Sequence, residues 1–269
     1  MENTKYVHGY SGREASRLND QANTLDAIIH DDTVFAKGSF VLEAGCGVGA
    51  QTKIIAPKNE DSNFVSVDIS EDSVNEAKQR IDSLGITNVE FRQADLYSLP
   101  FEDETFDAVV VCFVLEHLHN PVQALRELKR VLKKGGTMMA IEGDHGSTFF
   151  YPDSKEAHAV IDCQVQLQSQ SGGNSNVGRE LYPLLRSVGF SEVLVSPRMV
   201  YVDASRPQLV EGFIKNTFTA MIEGIGQKAI QAGITDALTF EQGIKDLYRT
   251  TELDGVFSYT FFKGFGIKE

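Results

Sequence analysis

The chain has 269 residues, 42% hydrophobic and 23% charged, a balance that lets a globular domain bury its own core without disulfide or metal staples. Acidic residues outnumber basic ones 38 to 25, and the net charge of −13 repels a phosphate backbone, which argues against nucleic acid as a partner. Three cysteines, Cys46, Cys112 and Cys163, fit no zinc spacing and read as reduced thiols of a cytoplasmic protein, with no metal site expected.

Taken in chain order, Met1–Tyr6 lack the charged-then-apolar run of a signal peptide, and the next few residues are polar around His8 and Tyr10. From Arg13 to Ile29 the residues Ala15, Leu18, Ala22, Leu25 and Ile29 recur at helical spacing. Ser39–Glu43 is a short apolar run, Gly49–Ala56 reads as a helix and Asn63–Asp68 as a strand. Ser70 caps a helix whose apolar face is Val74, Ala77, Ile81 and Leu84, and Gly85 stops it. Val89–Arg92 is a third strand. Phe106–Phe113 is nearly all apolar, as a central parallel strand covered on both faces must be. Asn120–Pro121 opens a helix with Leu125, Leu128, Val131 and Leu132 on one face, and Thr137–Glu142 is a fifth strand. The apolar run Ala108–Leu115 is too short to span a bilayer. Strand and helix alternate at βαβ spacing, which predicts a doubly wound α/β domain on a parallel sheet.

The pattern changes after Gly143. Ser154–Gln168 is helical, Gln168–Ser175 reads as a mobile loop, Arg179–Val188 is a helix and Val193–Ser196 a strand. Arg206–Thr250 is largely helical. There Phe213, Phe218, Met221, Ile222, Ile225 and Ile230 suit an acceptor pocket, a homodimer contact or an ordinary core face. Val256–Phe262 is a last strand.

The strongest local signal is Val41-Leu-Glu-Ala-Gly-Cys-Gly-Val-Gly49, set between a strand and a helix. Glycines there permit a tight turn and close backbone approach to a ligand, and the helix N-terminus favours an anionic group. Asp68 ends the next strand, where a carboxylate accepts from both ribose hydroxyls. These residues point to an adenosine-containing ligand. The spacing Gly45-x-Gly47-x-x-Ala50 with Asp68 also satisfies the dinucleotide fingerprint, so an NAD(P)-dependent oxidoreductase stays open, as does a plain turn.

Four features in order resemble the class I S-adenosylmethionine-dependent methyltransferases, in their small-molecule methyltransferase-domain branch. They are the Glu43–Gly49 loop, Asp68, Gln93-Ala-Asp-Leu96 followed by Leu99-Pro-Phe101, and Phe106-Asp107 leading to Leu115-Glu-His-Leu118. The resemblance covers about residues 40 to 142 and implies a seven-stranded sheet of order 3-2-1-4-5-7-6 with the last strand antiparallel. It implies S-adenosylmethionine as cofactor, with S-adenosylhomocysteine as product. Gly45 and Gly47 would face the methionine end, Glu43 its ammonium and Asp68 the ribose. Asp95 would take the adenine amine, with Ile69, Ala94 and Leu96 about the ring. Cys112, Phe113 and His117 would line the sulfonium region, and Tyr10 would fold over the cofactor. One methyltransferase domain spans residues 1–269 in this reading. Within it, 1–36 form a helical cap and 37–143 the cofactor core, while 144–178 and 203–254 are helical insertions over the site of a small-molecule acceptor.

Methyl transfer is an in-line displacement, and the protein's task is to align the nucleophile and exclude water. A base is needed only where the acceptor must shed a proton early. His119 and His145 follow the fourth and fifth strands and are the candidates, whereas His117 suits a structural pairing with the loop after it. A protein that binds the cofactor without catalysis is the remaining reading.

Overall fold

The computed structural model describes residues 12–269, so Tyr6, His8 and Tyr10 lie outside the described residues. A helix, α1 (Gly12–Ile29), precedes the sheet. The first half then alternates β1 (Phe40–Ala44), α2 (Thr52–Lys58), β2 (Asn63–Asp68), α3 (Glu71–Ser83), β3 (Val89–Gln93), β4 (Phe106–Cys112) and α4 (Pro121–Val131). The second half runs β5 (Leu132–Tyr151), α5 (Lys155–Gln170), α6 (Leu181–Ser187) and β6 (Ser191–Asp203). It closes with α7 (Pro207–Leu209), a π-helical run Val210–Thr219, α8 (Ala220–Gly224), α9 (Gly226–Gln231), α10 (Ala237–Arg249) and β7 (Val256–Ile267).

The strands lie in the order β3-β2-β1-β4-β5-β7-β6, the order the resemblance implied. β1 to β5 are parallel, and β7 runs antiparallel between β5 and β6. Alternation along β1 divides the core, because successive side chains point to opposite faces. Val41 packs with α1, α5 and the late helices, while Leu42 and Ala44 pack with α4 and α6. All three are fully buried, as expected where helices cover both faces.

Local chemistry sets the helix ends. The Ser70 hydroxyl accepts from the Ser73 N–H at 3.2 Å, and Asn120 Oδ1 accepts from the Gln123 N–H at 3.0 Å with Pro121 in the first turn. The expected helix from Gly49 starts only at Thr52, because Gly47 and Gly49 sit at φ +51° and +77° and cannot join a right-handed helix. The fifth strand does not stop at Glu142 but continues to Tyr151, paired with β7, so the first residues of the expected helical insertion at 144–178 are extended. The late helical region contains a feature outside any simple periodicity. Val210–Thr219 is wound wider than an α-helix, and the Thr217 hydroxyl donates to the Gly212 carbonyl five residues back, at 2.7 Å.

A chain of polar contacts ties α1 to the sheet. Lys263 on β7 donates to the Thr33 hydroxyl at 2.8 Å, and Thr33 meets His30 Nδ1 at 3.0 Å. His30 Nε2 reaches Gln51 Oε1 at 2.8 Å, beside the glycine turn. Burial holds the His30 imidazole down at about 4, so it stays neutral. Lys263 also pairs with Asp32 at 2.5 Å. Although burial pushes the Asp32 carboxyl up, its bonds to Lys263 and Arg198 hold it at about 2.

Candidate active site

The glycine turn is built almost entirely from backbone. Gly45 and Cys46 both donate to the Val67 carbonyl, at 2.7 and 2.9 Å, which closes the turn against β2. Gly45 has φ +77°, and a Cβ there would stand 2.4 Å from a Val114 methyl carbon. Gly47 differs: a Cβ on it would meet nothing within 4 Å, so the space above it is open. Asp68 Oδ2 accepts from the Gly47 N–H at 2.9 Å and Oδ1 from the Ser70 N–H at 2.9 Å. Burial pushes the Asp68 carboxyl up, and the backbone donors Ser70, Gly47 and Ile69 pull it down. Each oxygen still has lone-pair capacity for a hydroxyl donor.

Beneath the turn, Glu43 is 3% exposed, and its Oε2 accepts from the Ser66 and Thr52 hydroxyls at 2.6 and 2.7 Å. Burial raises its carboxyl above the ordinary range, the two hydroxyls oppose this, and the charge of Asp68 adds to it. Ile69 beside Asp68 is 58% exposed. Asp95 Oδ1 accepts from the Tyr97 N–H at 2.9 Å in a tight turn. Its neighbours Ala94 and Leu96 are buried in the core cluster, so their side chains support the turn from below. Burial pushes the Cys112 and Cys46 thiols well up, which leaves them unreactive.

A second space, a cavity of about 60 Å³, lies beside the residues that follow β4 and the middle of β5. Phe113, Phe213, Phe218 and Phe261 line it, with Leu18 and Gln21 of α1 along one side. Phe113 has φ +60°, a strained conformation for an aromatic residue, at the point where β4 turns away. The turn is held by Glu142, whose Oε1 accepts from the Val114 and Leu115 N–H groups at 3.0 and 2.8 Å. Burial, with the charge of Glu116 adding, pushes the Glu142 carboxyl well above its ordinary range. Its Oε2 has no partner among the described residues.

His145 lies on the wall of this cavity and is 6% exposed. Its Nδ1 is 3.1 Å from the Ser175 carbonyl and 3.2 Å from Tyr259 Oη. Nδ1 can donate to the carbonyl or accept from the phenol, according to the tautomer. Nε2 is buried with no partner among the described residues. Burial lowers the imidazole's pKa. Gly143 permits the close approach of Tyr259, because a Cβ there would stand 2.4 Å from the phenol oxygen.

Gln168–Ser175, expected to be mobile, is bound onto the site. Gln168 Nε2 donates to the Glu116 carbonyl at 2.9 Å and lies 3.3 Å from His117 Nδ1. Its Oε1 accepts from Ser175 Oγ at 2.7 Å. Asn174 N–H donates to the Glu116 carbonyl at 2.8 Å. A run rich in Ser, Gln and Gly reads as loop, yet these amides satisfy buried groups of another segment. His117 is held within this network, and burial lowers its pKa. His119 is exposed and is not among the residues lining the cavity, so the structure parts the two histidines that sequence placed together. The apolar stripe also divides. Phe213, Phe218 and Met221 reach the cavity, Ile222 and Ile225 are buried in the core, and Ile230 is 39% exposed.

Sequence reasoning missed Arg17, Gln21, Glu116, Thr217, Tyr259 and Phe261 as cavity residues. Gly212 was the available signal for part of this. A Cβ there would stand 2.3 Å from Thr24 Oγ1, so it lets the π-helical run press on α1. Among the described residues no group of three or more His, Cys, Asp or Glu suits a metal ion, and no helix is long and apolar enough to cross a membrane.

This sheet order, with a glycine turn after β1 and an acid ending β2, defines the class I methyltransferase fold. The family described as "Methyltransferase domain" matches residues 42–140. Over that stretch the chain resembles the S-adenosylmethionine-dependent methyltransferases. It is 30% identical over 235 residues to an uncharacterized 37.1 kDa protein in transposon TN4556 of Streptomyces fradiae, covering 85% of this chain and 63% of that one. It is 36% identical over 147 residues to an uncharacterized methyltransferase of Schizosaccharomyces pombe, covering 52% of each. The chain thus spans between half and two thirds of the length of these relatives. Among solved structures, the YcgJ protein of Bacillus subtilis has the same fold, with a TM-score of 0.58, 18% identity and coverage of 95% of this chain and 99% of that one.

Proposed function

We propose that the protein binds S-adenosylmethionine over the glycine turn and moves its methyl group to an O, N or C nucleophile of a small molecule in the neighbouring cavity. The observation that carries this reading is the Asp68 carboxylate, fixed by the Gly47 and Ser70 amides beside the open space above Gly47. The residues fit the group. Gly45 and Gly47 offer backbone to the amino-acid end, and Asp68 has acceptor capacity for two ribose hydroxyls. Exposed Ile69 and the Asp95 turn remain for the purine, while Glu43 supplies negative charge from beneath. When bound, the cofactor supplies an electrophilic methyl group. The chain's own part is to hold the acceptor in line with it and to keep water out. Gln21 and Leu18 of α1, the π-helical run and the Gln168–Ser175 stretch serve that exclusion, and His145 is the residue placed to take an acceptor proton. His119, exposed and away from the cavity lining, has no part in it.

Calorimetric titration with S-adenosylmethionine, S-adenosylhomocysteine, NAD and NADP tests the reading. The two sulfur nucleosides are expected to bind and the nicotinamides not to. Nicotinamide binding without S-adenosylhomocysteine binding would reject it in favour of an oxidoreductase. Transfer of label from the methyl donor into an extract of small molecules separates an enzyme from a protein that only binds the cofactor.

A further inference from the structure

Glu142 is a buried carboxyl to which methyl transfer itself gives no task. It sits in the middle of β5, where the ladder to β7 pairs it with Phe262 and pairs Gly143 with Phe261. From another side, Gly178 lets the turn Val177–Glu180 press on this stretch. A Cβ on Gly178 would stand 2.7 Å from the Gly143 carbonyl oxygen and 2.8 Å from that of Glu142. The carboxyl therefore projects from backbone held by both a ladder and a packed turn.

What it holds is the chain leaving β4. Three successive amides there are satisfied by two successive residues of β5. Phe113 N–H donates to the Ile141 carbonyl at 2.9 Å, and the Val114 and Leu115 N–H groups donate to Glu142 Oε1 at 3.0 and 2.8 Å. The last ladder pair of β4 with β5 is Cys112 with Ile141, so Val114 and Leu115 have no ladder partner for these amides and depend on a side chain. Phe113 stands at φ +60°, which a bulky residue keeps only where its surroundings over-determine it. The bend sends consecutive side chains to opposite faces of the sheet. Phe113 packs with Phe213 and Phe261 and lines the cavity, whereas Val114 packs with Leu42 and Ala44 and lies on Gly45 of the glycine turn.

We propose that Glu142 is a positioning residue for the methyl donor: by holding the Val114 and Leu115 amides it keeps Phe113 in its left-handed conformation and Val114 on Gly45, so that the cofactor turn and the cavity wall stay aligned. The inference rests on the methyltransferase reading. Glu142 is not among the residues lining the cavity and acts through Phe113 and Val114. Without an acceptor at position 142 two amides lose their partner, Phe113 relaxes to an ordinary φ, and Val114 lifts from Gly45.

The test measures S-adenosylhomocysteine affinity by calorimetry in the full chain. Glu142→Leu removes the acceptor at similar volume and is expected to weaken binding about tenfold. Glu142→Gln keeps a carbonyl oxygen for the two amides and is expected to bind within about twofold of the unaltered chain. Its amide nitrogen takes the place of Oε2, which already has no partner among the described residues. The decisive background is Phe113→Gly, because glycine adopts a positive φ without strain. If Glu142 acts through that conformation, adding Glu142→Leu to Phe113→Gly costs no more than about twofold, whereas a merely structural carboxyl costs the same about tenfold in either background. Should Glu142→Leu not fold, Glu142→Asp, which draws the carboxylate back by one methylene, is measured in its place with the same outcomes read. Undiminished affinity in Glu142→Leu, a loss in Glu142→Gln equal to that in Glu142→Leu, or an equal loss in both backgrounds would overturn the assignment and leave the cofactor reading in place. Failure of the unaltered chain to bind S-adenosylhomocysteine removes that reading, and the proposal falls with it.

Discussion

The cleft over the glycine turn and the cavity beside it are built by opposite means. In the cleft, backbone amides of one short turn meet one carboxylate, and every part comes from residues 43 to 95. In the cavity, side chains from α1, the β4–β5 ends, the π-helical run and β7 meet after long separations in sequence. A site made of backbone tolerates change in its surroundings and recognises an invariant ligand. A site made of side chains changes its ligand whenever one wall residue changes.

The contrast can be broken by substitution. Phe213→Ala removes a fully buried ring from the cavity wall, and urea unfolding should show a loss of about 3–5 kcal/mol. S-adenosylhomocysteine affinity in the folded fraction should hold, and a parallel loss of that affinity would show that the two sites are one. Asp68→Ala is the reciprocal change. It should weaken S-adenosylhomocysteine by about 1.5–3 kcal/mol in calorimetry, the worth of hydrogen bonds to a charged group. Wild-type nucleoside affinity in that variant would displace the ribose from Asp68.

The third probe is pH. His30 has a folded-state value of about 4, lowered by burial from 6.5, so the unfolded chain takes up the proton first as pH falls. Its contribution is intact above about pH 6.5 and is lost between there and about pH 4. Denaturation at about pH 7.5 and about pH 5 should differ by about 2 kcal/mol from this group. A His30→Asn variant should lack that share of the slope, and an unchanged slope would place the titration elsewhere. Smallest is Gly47→Ala. The Cβ has room but the backbone sits at φ +51°, so urea unfolding should show a cost of about 1 kcal/mol. A larger stability loss would mean that the open space above Gly47 is filled.

These probes follow the line between what sequence exposes and what it hides. The sheet order, the glycine turn and the location of Asp68 rest on short-range patterns: period-two apolar runs, glycines between strand and helix, an acid at a strand end. Each leaves a mark within ten residues. His145 was visible as a histidine after a strand, but its partners were not, because Ser175 and Tyr259 lie 30 and 114 residues away. Gln168–Ser175 misled for the same reason: its amides satisfy Glu116 and His117 rather than water. The π-helical run escaped because wider winding leaves no repeat over ten residues.

That run carries an evolutionary lever. A helix wound with five-residue hydrogen bonds stores slack, and losing one residue would let it relax to the ordinary 3.6 per turn. Side chains beyond the loss would keep their faces, because the deletion removes only the residue that the wider winding accommodates. The run can therefore change length by one residue while the helices after it stay seated on the sheet.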